Sequence, residues 1–173
     1  MANYKALLSK ITTFIFDVDG VMTDGIVLLT PDGQMLRTMN VKDGYALQLA
    51  VKKGYRIIII SGGNSEAVRQ RFQGLGIKEI HLAIGNKLEV FHKIVKEDNL
   101  QMEEILYMGD DIPDYEIMNE VGVAACPSDA AEEIKHVSRY ISPVAGGKGC
   151  VRDVLEQVMK VQGKWFNEDG FHW

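Results

Sequence analysis

The chain has 173 residues, 46% of them hydrophobic and 25% charged, with a formal net charge of −5. That suffices for one globular domain with a real core and is short for two, while the dispersed acids argue against nucleic acid or an anionic membrane as the main partner. Cys126 and Cys150 are too few for a secreted disulfide scaffold and lack metal-ligand spacing, so they read as reduced thiols in a cytoplasmic protein. The start, Met1-Ala2-Asn3-Tyr4-Lys5, leads to no long apolar segment, so neither a signal peptide nor a membrane span is expected. In chain order, the apolar run Thr12 to Asp17 predicts a first buried strand. Ile26-Val27-Leu28-Leu29 and Met35-Leu36-Arg37-Thr38-Met39 flank Thr30-Pro31-Asp32-Gly33 and predict an inserted hairpin. Asp43 to Lys53 reads as a helix closed by Gly54, and Tyr55 to Ile60 as a strand buried on both faces. A helix follows Ser61-Gly62-Gly63-Asn64 and ends at Gly76; Ile77 to Leu82 is a third strand and Lys87 to Glu97 a helix. Ile105 to Met108 and Val121 to Ala125 are further strands. A short helix near Asp129 to Lys135, a strand at Tyr140-Ile141 and a helix from Gly149 to Gln162 complete the domain. Alternating strands and helices predict an α/β, Rossmann-like three-layer sandwich with a mostly parallel sheet and an inserted hairpin.

The chemistry is expected at the strand ends. Asp17 and Asp19 are two residues apart, so they face one side while Val18 faces the other. Two carboxylates at the end of a core strand are costly unless a cation or donors compensate them. In open α/β sheets ligands bind at this end of the strands. Ser61 follows the second core strand, Lys87 opens the helix after the third, and Asp110, Asp111 and Asp114 follow the fourth. Such a carboxylate set suits Mg²⁺, which would reduce repulsion between Asp17 and an anionic phosphoryl group. Asp17 is then placed to attack phosphorus and form an aspartyl-phosphate. Asp19 can protonate the departing alkoxide and later deprotonate water. Ser61 and Lys87 would hold the phosphoryl oxygens, assisted by amides around Gly20 and Gly62-Gly63.

Each residue also has a plainer reading. Asp17 and Asp19 read otherwise as a solvated loop pair, Ser61 or Asn64 as a helix N-cap, Lys87 as a solvated helix residue, and Asp111 and Asp114 as caps of the next helix. Arg69 and Arg71 can pair with acids such as Glu66 on a helix face. His81, His92, His136 and His172 lack ligand spacing. Gly146-Gly147-Lys148-Gly149 is not a nucleotide loop, because it lacks the Walker spacing.

Asp17-x-Asp19-Gly20-Val21-x-Thr23-Asp24-Gly25, Ser61-Gly62, Lys87 and Gly109-Asp110-Asp111-x-x-Asp114 resemble, in order and context, the four motifs of the haloacid dehalogenase superfamily. Val41-Lys42-Asp43-Gly44, Ser65 through Arg71 and Gly146 through Arg152 narrow the resemblance to its small-cap (C0) group and the 3-deoxy-D-manno-octulosonate 8-phosphate phosphatases, over roughly the whole chain. The resemblance implies a Mg²⁺-dependent phosphomonoesterase of lipopolysaccharide precursor synthesis. It also implies a homotetramer in which the hairpin and a neighbouring subunit close each active site. Asp17, Asp110 and Asp19 through its carbonyl would hold the metal, with Asp111 and Asp114 orienting metal waters or Lys87. The sugar acid would meet Asn40, Val41, Lys42, Asp43 and Gly44, and Arg71 would approach its carboxylate or phosphate; Gly62 and Gly63 would line the phosphate side.

Gly63 and Lys42 depart from the family's usual arginines, which removes a planar cationic fork and leaves open a nine-carbon ulosonate 9-phosphate as substrate. A phospho-accepting receiver, or a non-catalytic oligomerisation module, is the reading outside enzymes. A receiver would place its phosphoacceptor after a later strand, and a dead module would be expected to lose Asp17, Asp19 or Asp110; all three are present. Residues 1–163 are read as the phosphatase domain. The aromatic tail 164–173, with Trp165, Phe166, Phe171 and Trp173, is expected to pack on a neighbouring subunit.

Overall fold

A computed structural model of the chain describes residues 4–166 and 168–171. The elements are α1 (Tyr4–Leu8), β1 (Thr13–Phe16), β2 (Leu28–Leu29), β3 (Met35–Leu36), α2 (Val41–Lys52), β4 (Arg56–Ile60), α3 (Glu66–Gly74) and β5 (Glu79–His81), followed by α4 (Lys87–Glu97), β6 (Ile105–Met108), α5 (Tyr115–Glu120), β7 (Val123–Cys126), α6 (Glu132–Val137), β8 (Tyr140–Ile141) and α7 (Cys150–Val161). Six strands form one parallel sheet in the order β5-β4-β1-β6-β7-β8. The flap strands β2 and β3 pair only with each other, Leu28 opposite Leu36 and Leu29 opposite Met35.

Alternation along the strands divides the interior into two cores. Phe14 and Phe16 of β1, Ile57 and Ile59 of β4, and Leu106 and Met108 of β6 face α2 and α7. Ile15, Ile58, Ile60, Ile105 and Tyr107 face α4, α5 and α6. Each fully buried aliphatic or aromatic side chain contributes about 1.5–3 kcal/mol relative to exposure, so a slip of one residue in β1 would exchange both cores.

The chain leaves β1 for β4 and β5 on one side, then returns to β6, β7 and β8 on the other. The crevice beyond the carboxyl ends of β1 and β6 is therefore a topological switch point, where open α/β sheets bind ligands.

Several boundaries differ from expectation. α3 begins at Glu66 with Ser65 as its N-cap, accepting from the Val68 amide at 3.4 Å, so neither Ser61 nor Asn64 caps it. The flap strands shorten to two residues each because no core supports them. α1 was not expected; it is held by burial of Leu8 and by Gln162 Nε2, which donates to the Leu8 carbonyl at 2.9 Å. Among the described residues, no helix is long and apolar enough to cross a membrane.

Candidate active site

Asp17 directly follows β1, and its amide donates to the Met108 carbonyl of β6 at 3.0 Å. This bond continues the parallel ladder past the strand and fixes the nucleophile candidate beside the start of the Gly109-Asp110 loop. Asp17, Asp19, Ser61, Gly62, Gly63 and Lys87 line one cavity of about 540 Å³, with Asn86, Pro113 and Glu116 at other parts of its wall.

Lys87 is the first residue of α4, where the helix dipole disfavours a cation. Its surroundings reverse that preference. Nζ lies 2.9 Å from Asp17 Oδ1 and 2.8 Å from Asp114 Oδ1. Burial opposes its charge, but the two carboxylates outweigh burial and hold its pKa above the ordinary lysine value. Asp114 is fully committed, since Oδ1 also accepts from the Tyr107 hydroxyl at 2.6 Å and Oδ2 from the Asp110 amide at 3.2 Å. It therefore orients Lys87 and does not cap α5, with which its side chain makes no hydrogen bond. Asp111 is exposed and accepts from the Ile112 amide at 2.9 Å, capping the short 3-10 turn Ile112–Asp114.

Carboxylate oxygens of Asp17, Asp110 and Asp114 lie within 4.8 Å of one another. Burial, followed by repulsion from Asp114, raises the Asp17 pKa to about 6 despite Lys87. Burial and repulsion from Asp17 and Asp114 raise Asp110 to about 8. Asp110 Oδ1 is buried without a hydrogen-bond partner. An orphan oxygen beside a second strained carboxylate is a donor set that fits a hard divalent cation. Gly20 makes that approach possible: at φ +87° its Cα lies against Asp110, and a Cβ there would meet Oδ2 at 1.9 Å.

Asp19 carries a partner the sequence reading missed. Arg37, just past β3, donates from Nε to Asp19 Oδ1 at 2.6 Å and from a terminal nitrogen to Oδ2 at 2.9 Å. Ser61 is buried, and its Oγ accepts from the Gly63 amide at 3.1 Å. The Gly146–Gly149 turn buttresses the acidic loop of its own chain. The Gly147 amide donates to the Val21 carbonyl at 3.0 Å, Lys148 Nζ pairs with Asp24 at 3.2 Å, and a Cβ at Gly146 would stand 1.9 Å from the Gly20 carbonyl oxygen. A glycine run before a helix signalled the turn but not the surface it meets.

The expected sugar-acid segment lies elsewhere within the chain. Asn40 caps α2, accepting from the Lys42 amide at 2.8 Å. Asp43 is buried and accepts from the Arg152 amide at 2.6 Å, so it caps α7, whose N-cap is Gly149 and lacks a capping side chain. This departs from the expectation that Asp43 meets substrate: its α2 position turns it toward α7. Gly44 is covered by Arg71, whose guanidinium occupies the place of a Cβ. Val41 and Lys42 line a separate cleft with Tyr45, Arg152 and Trp165. None of residues 40–44 nor Arg71 lines the Asp17 cavity of the same chain among the described residues.

The described part of the tail lies on its own chain. Arg152 stacks between Tyr45 and Trp165, 5.8 and 5.2 Å from the ring centroids, and the Tyr45 hydroxyl donates to the Gly170 carbonyl. Asn167, His172 and Trp173 lie outside the described residues, as do Met1, Ala2 and Asn3.

A family model described as haloacid dehalogenase-like hydrolase matches residues 79–153. The 3-deoxy-D-manno-octulosonate 8-phosphate phosphatase KdsC of Escherichia coli is 32% identical over 94% of this chain and 87% of its own length. The solved phosphatase of that name from Yersinia pestis superposes with a TM-score of 0.90 at 30% identity, covering 92% of this chain and 86% of its own. The enzyme from Moraxella catarrhalis, solved with magnesium, phosphate and KDO, gives a TM-score of 0.90 at 31% identity, covering 96% and 94%. Whole-length similarity and a shared fold join the ordered acidic loops to one conclusion: the chain belongs to the 3-deoxy-D-manno-octulosonate 8-phosphate phosphatase family of haloacid dehalogenase-like hydrolases.

Proposed function

We propose that the protein is a Mg²⁺-dependent phosphomonoesterase that hydrolyses a sugar-acid phosphate, 3-deoxy-D-manno-octulosonate 8-phosphate, to the free sugar acid and phosphate. The observation that carries this reading is the convergence of Asp17, Lys87 and the orphaned Asp110 Oδ1 from three strand ends at one switch point. Its relatives' names supply the substrate.

Asp17, Asp110 and the Asp19 carbonyl would hold Mg²⁺, which offsets repulsion between the nucleophile and the phosphoryl group. Asp17 attacks phosphorus through a carboxylate oxygen, and the ester oxygen leaves. Asp19 donates the proton to that leaving oxygen, then accepts one from the water that cleaves the aspartyl-phosphate. Lys87 uses two N–H bonds on Asp17 and Asp114 and retains a third for a phosphoryl oxygen. Ser61 Oγ and the amides of Gly62 and Gly63 supply further donors. Asp111 and Asp114 act behind these groups, Asp114 by fixing Lys87. Asn40, Val41, Lys42 and Arg71 would form the sugar-acid side only across a subunit boundary, where the family resemblance expects a neighbouring subunit to close the site, whereas Asp43 and Gly44 are taken up within their own chain by the Arg152 amide and the Arg71 guanidinium.

The assembly we infer is a cytoplasmic homotetramer. Buried, unpaired Cys126 and Cys150 suit a reducing compartment. Ile26 and Leu29 of the flap are 69% and 72% exposed and Leu28 63%, a run of apolar side chains that a neighbouring copy would cover.

Gly63 leaves open a second substrate, a nine-carbon ulosonate 9-phosphate, because it lacks the planar cationic fork that the family resemblance implies at that position. Phosphate release by the Mg²⁺-loaded protein, compared across eight- and nine-carbon ulosonate phosphates and neutral sugar phosphates, tests the reading. Preference for the eight-carbon ester supports it, and failure to hydrolyse any of them refutes it.

A further inference from the structure

Asp19 is the proposed acid and base, yet both of its oxygens are occupied. Oδ1 accepts from Arg37 Nε at 2.6 Å and lies 3.4 Å from the Thr23 hydroxyl, and Oδ2 accepts from the other arm of the Arg37 fork at 2.9 Å. Only one lone pair, on Oδ2, remains open to the cavity, and a proton carried there would sit against the guanidinium fork that holds the carboxylate. The guanidinium must therefore release Asp19 during turnover. A cation whose side chain is only 9% exposed does not leave one carboxylate without another to receive it.

The flap provides the means of exchange. Arg37 lies just past β3, its remaining terminal nitrogen donates to the Met35 carbonyl at 3.0 Å, and the flap strands bond to no strand of the main sheet. Gly63 provides the space. A Cβ on it would stand 3.1 Å from Asp19 Oδ2 and 3.3 Å from the Arg37 terminal nitrogen, so a side chain at 63 would crowd the fork.

We infer that Arg37 is the receptor for the substrate's carboxylate, passing from Asp19 to the sugar acid as the latter binds. This inference rests on the phosphatase reading above and adds its specificity determinant. Lys87, Ser61 and the Gly62 and Gly63 amides already serve the phosphoryl oxygens, whereas a planar two-armed fork matches a planar carboxylate, and Asp19 shows that match directly. A substrate with both a phosphate and a carboxylate releases its own acid catalyst; one with phosphate alone leaves Asp19 engaged.

The test compares wild type, R37A, R37K and G63A with Mg²⁺ present, on 3-deoxy-D-manno-octulosonate 8-phosphate and on glucose 6-phosphate, which lacks a carboxylate. The ratio of the two kcat/KM values is expected to fall roughly 10- to 100-fold in R37A, the worth of one charge-assisted hydrogen-bonded pair. It should fall in R37K as well, because lysine keeps the charge without the fork, and in G63A through crowding. Free 3-deoxy-D-manno-octulosonate should inhibit wild type and lose potency in R37A, while inhibition by inorganic phosphate changes less. Circular dichroism checks that each variant is folded. Equal loss on both esters would make Arg37 a support for Asp19 alone and overturn the proposal, as would a loss of inhibition from wild type to R37A at least as large for phosphate as for the sugar acid. Glucose 6-phosphate hydrolysed as well as the sugar-acid ester by wild type would overturn it while leaving the phosphatase standing. Wild type inactive on every ester would overturn the phosphatase reading, and this one with it.

Discussion

Without a cation, the acidic centre should lose stability as pH rises, which reverses the usual behaviour of carboxylates. Asp110 has a folded pKa near 8 against an ordinary value of 3.8, and Asp17 one of about 6. Both values are raised, so the folded state holds more protons than the unfolded chain, and the contribution is complete below the unfolded value and disappears as pH passes the folded one. Between about pH 5 and about pH 8, three units at about 1.4 kcal/mol each set a ceiling near 4 kcal/mol for Asp110. Mutual repulsion enters both shifts, so Asp17 is not added in full, and solvent at the partly exposed Asp110 lowers the total; a loss of about 2–3 kcal/mol is expected. Mg²⁺ at 100 times its dissociation constant should restore about 2.7 kcal/mol at the upper pH and little at the lower, where protons compete for the same oxygens. Urea unfolding of chelator-treated protein at several pH values, with and without Mg²⁺, measures both curves. Asp110→Asn should flatten the metal-free curve and remove most of the Mg²⁺ effect. A metal-free protein as stable at pH 8 as at pH 5, or an unchanged slope in Asp110→Asn, would refute the reasoning.

Asp17→Asn should abolish phosphate release with Mg²⁺ present while circular dichroism stays native; turnover near wild type would end the covalent route. Lys87→Met should lower unfolding free energy by about 3–5 kcal/mol near neutral pH, because it leaves Asp17 and Asp114 facing each other without their shared cation; a loss under about 1 kcal/mol in urea unfolding would show that the ion triad is not buried as described. Ending the chain at Gly163 removes the Arg152–Trp165 stack and the Tyr45–Gly170 hydrogen bond. That should cost about 1–2 kcal/mol and reduce the assembly mass in light scattering. Unchanged stability, mass and activity would remove any role for the tail.

What could be read from sequence were the features dictated by short-range pattern. α4 over Lys87–Glu97 and β6 over Ile105–Met108 have the bounds their apolar periodicity predicts, and Asp17 and Asp19 do share a cavity, as their two-residue spacing requires. The contacts that escaped join segments far apart in the chain. Arg37 reaches Asp19 only because the flap folds back over the loop it interrupts, and no local pattern in Met35 to Met39 announces that. Asp43, read as a substrate contact, is turned to α7 by the packing of α2 on α7, where it supplies the cap that Gly149 cannot. Tyr107 had a local signal that was passed over: a tyrosine in a fully buried strand needs a partner for its hydroxyl, and Asp114 is that partner.

The order of the sheet explains why these charges must meet. β1 lies between β4 and β6, so the loops carrying Asp17, Ser61 and Asp110 emerge side by side, although they are separated by tens of residues in the chain. Lys87 enters from beyond the edge strand β5, the one ammonium that reaches between Asp17 and Asp114 among the described residues. One cation cannot balance three carboxylates. The remaining negative charge makes Asp110 reluctant to ionise and makes the centre a binding site for a divalent ion. Asp19, a carboxylate outside that trio, gives the flap its hold through the Arg37 fork. Removing the excess by Asp110→Asn should therefore weaken both Mg²⁺ binding and activity while making the metal-free protein more stable at alkaline pH.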